Sequence, residues 1–168
     1  YNITCYGNNN GTINLNVSGG TSAYTYAWTG TGAYTGSSQN PSGLVAGTYQ
    51  VLVTDVNNCT ATTSITLSQP TLLTSSVSSP TFIGNNNISC NGLLDGAINL
   101  SVNGGTSAYS YAWTGPSTFT SNTQNPTGLQ AGVYQITTTD ANGCVTSTSI
   151  TLTEPAAMSV NVNSPTLA

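Results

Sequence analysis

From Thr12 to Val17 apolar and polar residues alternate, with Ile13, Leu15 and Val17 on one side and Thr12, Asn14 and Asn16 on the other. Successive side chains of a strand point to opposite faces, so this pattern predicts a half-buried β-strand. Gly19-Gly20 then turns the chain. Tyr24, Tyr26 and Trp28 share one face of the next predicted strand. Residues 29–43 form a polar, Gly-rich stretch with a short strand near Tyr34. Tyr49, Val51 and Val53 again recur at every second position. Asp55-Val56-Asn57-Asn58 reads as a tight turn, a last strand is predicted from Cys59 to Leu67, and Pro70 closes the unit. No stretch keeps a helical period. Short strands broken by frequent turn residues predict an all-β sandwich.

The pattern then starts again. A shift of 85 residues lays the chain on itself without a gap. Cys5 falls on Cys90, Trp28 on Trp113, Tyr49 on Tyr134, Asp55 on Asp140, Cys59 on Cys144 and Pro70 on Pro155. Gln39-Asn40-Pro41 falls on Gln124-Asn125-Pro126. A period of this length suits a small independent domain better than a solenoid turn of roughly 20–50 residues. The expected division is residues 1–70 for a first module, 71–155 for a second, and 156–168 for the opening strand of a following one.

That last segment repeats an earlier one. Leu72 to Val77 precedes Cys90 and is predicted to be extended, followed by Ser79-Pro80-Thr81. Its counterpart runs from Met158 to Val162, followed by Ser164-Pro165-Thr166. No counterpart stands before Cys5, so the first module is expected to lack its opening strand. Two explanations fit: a piece of a longer array, which is preferred, or a strand handed to a neighbouring subunit by strand addition. The expected partners are therefore neighbouring repeats of the same chain or identical subunits. The short Ser68-Gln69-Pro70-Thr71 linker predicts a semi-rigid stack.

Charge narrows the function. The chain has no Lys, Arg or His, and its acids are Asp55, Asp95, Asp140 and Glu154. Ion pairs between side chains cannot form. Nucleic-acid binding is not expected, because neutralising phosphates requires cations. Membrane insertion is not expected either, since no apolar run reaches spanning length. Targeting signals are expected to lie outside this stretch. Without His or Lys there is no general base for a Ser-His-Asp or Cys-His site and no Schiff-base amine. The chain is not expected to be an enzyme or to hold a cofactor or metal.

Each module carries two Cys at matched spacing, which predicts the bridges Cys5–Cys59 and Cys90–Cys144. Closing a loop of that length would contribute roughly 4 kcal/mol in the chain-entropy treatment. Disulfides also imply an oxidising compartment, extracellular or at the cell surface.

In order, each module reads Cys, an alternating strand, Gly-Gly-Thr, Tyr-x-Tyr-x-Trp, Gly-Leu-x-Ala-Gly-x-Tyr, Asp-x-Asn-x-Cys and a closing Pro, with small departures between copies. This series resembles the SprB repeat of large bacterial surface adhesins. The resemblance implies an immunoglobulin-like or PKD-like sandwich, export to the cell surface, and service in adhesins or extracellular filaments. It implies a mechanical role, a disulfide-stabilised stalk.

Among single residues, Trp28, Tyr49, Trp113 and Tyr134 are expected in the core, the tyrosine hydroxyls bonded to backbone. Tyr34 and Phe119, in the polar stretch, are the weak ligand-binding candidates of a second, lectin-like function. Its partner would be a surface polysaccharide, met also by Asn8–Asn10. Asp55/Asn57 and Asp140/Asn142 read as Asx turns before Ca²⁺ ligands, because calcium wants six or more oxygens. Asp95 and Glu154 replace Asn10 and Gln69 of the other copy and read as surface drift.

Overall fold

The computed structural model describes residues 3–162. It is all-β, its longer strands joined in antiparallel sheets, and it divides into two compact units.

The first unit comprises Tyr1–Leu73 together with Gly104–Ser107 and Asp140–Cys144. Its strands are β1 (Gly11–Thr12), β2 (Thr25–Gly30), β3 (Tyr34–Gly36), β4 (Ser42–Leu44), β5 (Gly47–Thr54) and β6 (Thr60–Leu67). One sheet has the order β3-β2-β5-β6, and β1 pairs with β4. The register puts Trp28 opposite Val51 and Val51 opposite Thr63. The alternation of β5 follows from this: Tyr49, Val51 and Val53 face inward while Thr48, Gln50 and Leu52 face out. Trp28, Tyr49, Val51, Leu44 and Leu67 form the core with Ile13. Burying a large apolar side chain of this kind contributes about 2–3 kcal/mol.

Two details fix the strand ends. Trp28 donates its indole N–H to the Ser38 carbonyl at 2.8 Å, so the buried ring leaves no polar atom unmet. Gly30 lies opposite Tyr49, and a Cβ there would stand 2.3 Å from the tyrosine ring, so only glycine lets the ring in.

The expected strand over Thr12–Val17 is cut short. Only Gly11–Thr12 is in a ladder, and residues 13–18 pair with no strand. The cause lies in the hydrogen bonds. Asn40 Oδ1 accepts the Leu15 N–H at 2.9 Å and Gln39 Nε2 donates to the Leu15 carbonyl at 2.8 Å. Side-chain amides thus hold one edge of the segment, and nothing among the described residues holds the other.

The second unit comprises Thr74–Asn103, Ala108–Thr139 and Val145–Ala168. Its strands are β7 (Thr74–Ser78), β8 (Gly96–Ala97), β9 (Asn99–Asn103), β10 (Ser110–Thr114), β11 (Thr120–Ser121), β12 (Thr127–Leu129), β13 (Gly132–Thr139) and β14 (Val145–Leu152). The sheet β11-β10-β13-β14 repeats that of the first unit, and β12 pairs with β8. Ile88, Ile98, Leu100, Trp113, Tyr134 and Ile136 lie in its core. Gln124 and Asn125 hold the Leu100 backbone as Gln39 and Asn40 hold Leu15, at 3.0 and 2.9 Å.

Here, however, the segment is a full strand, because β7 lies along its other edge, with Val77 opposite Leu100 and Thr74 opposite Asn103. β7 also packs on β14. The alternate residues Thr146, Thr148 and Ile150 of β14 are accordingly half-buried, whereas their counterparts Ala61, Thr63 and Ile65 on β6 are exposed. Residues 156–162, expected as an opening strand, are in no ladder; residues 163–168, with Ser164-Pro165-Thr166, lie outside the described residues. Met158, Val160 and Val162 are 95%, 81% and 92% exposed.

Candidate functional site

The cysteines depart from the expected pairing. Cys5 is bonded to Cys144, with Cα atoms 5.7 Å apart, and Cys59 and Cys90 are exposed thiols. Neither Cys5–Cys59 nor Cys90–Cys144 forms. The reason is that the 140–144 turn belongs to the first unit, where it sits beside Thr4 and Cys5. Asn142 Nδ2 donates to the Thr4 carbonyl at 3.0 Å and fixes that approach. A repeated spacing says which two positions bond, but not which copy supplies each.

The turn before each second cysteine is built around an aspartate. Asp55 Oδ1 accepts the backbone N–H groups of Asn57 (2.9 Å) and Cys59 (2.8 Å), and Oδ2 accepts that of Thr21 (3.0 Å). Asp140 does the same with Asn142 (2.9 Å), Cys144 (2.8 Å) and Thr106 (2.8 Å). The Thr21 N–H, then that of Cys59, holds the Asp55 carboxyl below its ordinary value against the opposing effect of burial. At Asp140 burial pulls upward, and the N–H groups of Thr106, Cys144 and Asn142 together outweigh it, so that carboxyl is lowered too. Both oxygens of each carboxylate are committed to backbone donors, which makes these structural turns. Asn57 and Asn142 extend them to the hydroxyls of Thr21 and Thr106 at 3.1 and 3.0 Å.

The loop around each first cysteine is braced on both sides. Asn10 bonds the Thr4 N–H and hydroxyl at 3.2 and 2.6 Å, and Gln69 Oε1 accepts the Gly7 N–H at 2.8 Å. In the second copy Asp95 accepts the N–H and hydroxyl of Ser89, and Glu154 accepts Asn91 Nδ2 at 3.0 Å and the Gly92 N–H at 2.8 Å. Asp95 and Glu154 are therefore not surface drift. They do with carboxylates what Asn10 and Gln69 do with amides, and the Ser89 hydroxyl holds the Asp95 carboxyl below its ordinary value. A turn bond from the third residue on closes both loops: Asn8 N–H to Cys5 carbonyl and Leu93 N–H to Cys90 carbonyl, each 3.1 Å.

Trp28, Tyr49, Trp113 and Tyr134 are each 1–2% exposed. The Tyr49 and Tyr134 hydroxyls donate to the Val45 and Gln130 carbonyls at 2.9 and 3.0 Å, while burial raises the pKa of both phenols. Tyr34 and Phe119 are half-buried. Each sets its ring edge-on against the buried tyrosine of its unit, Tyr34 on Tyr49 at 5.5 Å and Phe119 on Tyr134 at 5.3 Å. Among the described residues no three Cys, Asp or Glu side chains gather as metal ligands. No helix among them is long and apolar enough to cross a membrane.

The SprB repeat family model matches residues 1–33 and 86–118. Over these two segments the chain is similar to the SprB repeat. Both matched segments run from the braced cysteine loop through the Tyr-x-Tyr-x-Trp strand, the parts of the SprB repeat whose geometry is given above. No curated protein matches the chain. Among solved structures, the amphioxus IgVJ-C2 molecule is similar at 11% identity, over 87% of this chain and 97% of that one, with a TM-score of 0.42.

Proposed function

We propose that these SprB repeats serve as a disulfide-stabilised, semi-rigid spacer in an extracellular adhesin or surface filament, and that they carry no catalysis. One observation supports this most: the carboxylates of Asp55, Asp95, Asp140 and Glu154 all receive hydrogen bonds that brace a cysteine-bearing loop or turn. Each acid thus has a bracing task beside a cysteine, Asp140 at the bonded Cys144 and the other three at the free Cys59 and Cys90. The Cys5–Cys144 bond suits an oxidising, extracellular setting. Its buried Trp and Tyr side chains keep each unit's core fixed under load.

Immunoelectron microscopy of producing cells, with antibody raised against this chain, tests the proposal. Label strung along projections from the cell surface is expected; label confined to the cell interior would overturn it. A lectin-like adhesion module is the rival. Its support is a shallow cleft of about 210 Å³ lined by Phe119, Tyr134 and Pro116. A glycan array that returned a polysaccharide ligand lost on Phe119→Ala would favour it.

A further inference from the structure

In the first unit no strand among the described residues lies along the outer edge of residues 13–18. Three shallow clefts of about 200 Å³ each follow it, between Ile13, Leu15 and Val17 on one side and Ala61, Thr63 and Ile65 of β6 on the other. In the second unit β7 lies along the equivalent edge, between β9 and β14. The chain holds a second copy of β7 that is in no ladder among the described residues: Met158–Val162 stands 85 residues after Leu73–Val77, and its apolar side chains are exposed. Leu73, by contrast, is 6% exposed.

The thiols follow the same translation. Cys90 lies 85 residues after Cys5, and Cys59 lies 85 residues before Cys144, and Cys5 and Cys144 are bonded. Both free thiols stand in a loop or turn braced like that of their bonded equivalents. Ser89, Asp95 and Glu154 brace the Cys90 loop as Thr4, Asn10 and Gln69 brace that of Cys5. Asp55 holds the Cys59 N–H at 2.8 Å, as Asp140 holds that of Cys144.

We propose that the bare 13–18 edge and Cys59 of one molecule are the docking surface for Met158–Val162 and Cys90 of a second copy of this chain. The proposal rests on the structural reading above and names its partner. In the β7 register, Ser159 lies opposite Ser18, Val160 opposite Val17, Asn161 opposite Asn16 and Val162 opposite Leu15. Val160 and Val162 then enter the apolar clefts, and Met158 takes the place of Leu73. Val160 suits its slot better than Ser75 suits the equivalent one, where the Ser75 hydroxyl is buried without a partner among the described residues. Cys90 of the donor meets Cys59 of the acceptor as Cys5 meets Cys144. A small-molecule disulfide is the oxidant: two thiols and one oxidised glutathione give one Cys90–Cys59 disulfide and two reduced glutathiones, the two protons passing to the released thiolates. Each copy has one donor segment and one acceptor edge, so assembly is head-to-tail and open-ended.

The test uses the full 168-residue chain with Cys5–Cys144 formed and Cys59 and Cys90 reduced, exposed to oxidised glutathione. A non-reducing gel is expected to show a ladder. Fragment masses after cleavage at aromatic residues (trypsin has no site) should show Cys59–Cys90 as the new bridge, formed between copies. Cys59→Ser mixed with Cys90→Ser should stop at dimers, and either alone should stay monomeric. A chain ending at Ala157 should lengthen at least tenfold more slowly. Monomers capped by glutathione, Cys59–Cys59 or Cys90–Cys90 bridges, a Cys59–Cys90 bridge within one copy, or an unchanged rate in the shortened chain would overturn the proposal. An intact Cys5–Cys144 bond and unchanged circular dichroism certify the fold of each variant. Monomers from cells whose surface projections still carry the antibody label would overturn the assembly and leave the spacer function standing.

Discussion

Thr138 and Val53 occupy the same place in the two copies of the repeat, and the threonine hydroxyl there is fully buried with no hydrogen-bond partner among the described residues. A buried hydroxyl gives up its water bonds, and an apolar residue of the same shape does not. Thr138→Val is expected to stabilise the chain by about 1–2 kcal/mol, read as a higher denaturation midpoint in urea with an unchanged slope. A lower midpoint would mean that the hydroxyl has a bound water.

The Cys5–Cys144 bond spans 139 residues. In the chain-entropy treatment a loop of that size contributes about 5 kcal/mol. The double variant Cys5→Ser with Cys144→Ser is expected to lose most of this in equilibrium unfolding. Under tension the enclosed residues cannot extend until the bond is reduced. Single-molecule pulling should therefore gain roughly 480 Å of contour length on adding a reductant, at about 3.5 Å per residue.

Acid should weaken the fold through Asp55 and Asp140. Both carboxyls are held below the ordinary value of 3.8. A depressed folded-state pKa means that the stabilisation is complete above the unfolded value. It is lost as pH falls below 3.8 and through the folded value. Thermal midpoints should accordingly fall between about pH 4 and pH 2. Asp55→Asn and Asp140→Asn keep an acceptor oxygen but do not titrate, so together they should flatten that limb of the curve.

Asn40 and Asn125 make the same bond in differently covered places. The Leu15 N–H bonded by Asn40 is exposed, and the Leu100 N–H bonded by Asn125 is partly buried beneath β7. Asn125→Ala is expected to cost about 1–2 kcal/mol, and Asn40→Ala about 0.5 kcal/mol, because water replaces the lost partner only at Leu15. Paired urea curves measure the difference.

Much of the fold can be read from side-chain alternation. The inward run Tyr49, Val51, Val53 and the turn at Asp55 need only local information, since pleat and Asx chemistry act within a few residues. The segment 13–18 shows where such reading stops. Its alternation is as clear as that of β9, but a strand exists only beside another strand, and the partner here is set by what lies along the edge. The cysteines show the same limit. Spacing marked all four as special, while the choice of Cys144 for Cys5 depends on the placement of the 140–144 turn. The matched substitutions Asn10 for Asp95 and Gln69 for Glu154 were visible, yet their common task appears only with the loop geometry in hand.

Because the sulfur link joins residues near the two ends of the described chain, the backbone between them is a closed covalent circuit. One peptide-bond cleavage anywhere inside it, at the fully exposed Ile83 for instance, opens the circuit but frees no fragment. Enzymes that cut after Lys or Arg find no target at all. Freeing a piece of the enclosed chain thus takes two hydrolytic events, or one together with reduction of the disulfide, which is a useful property for anything left outside a cell among secreted proteases.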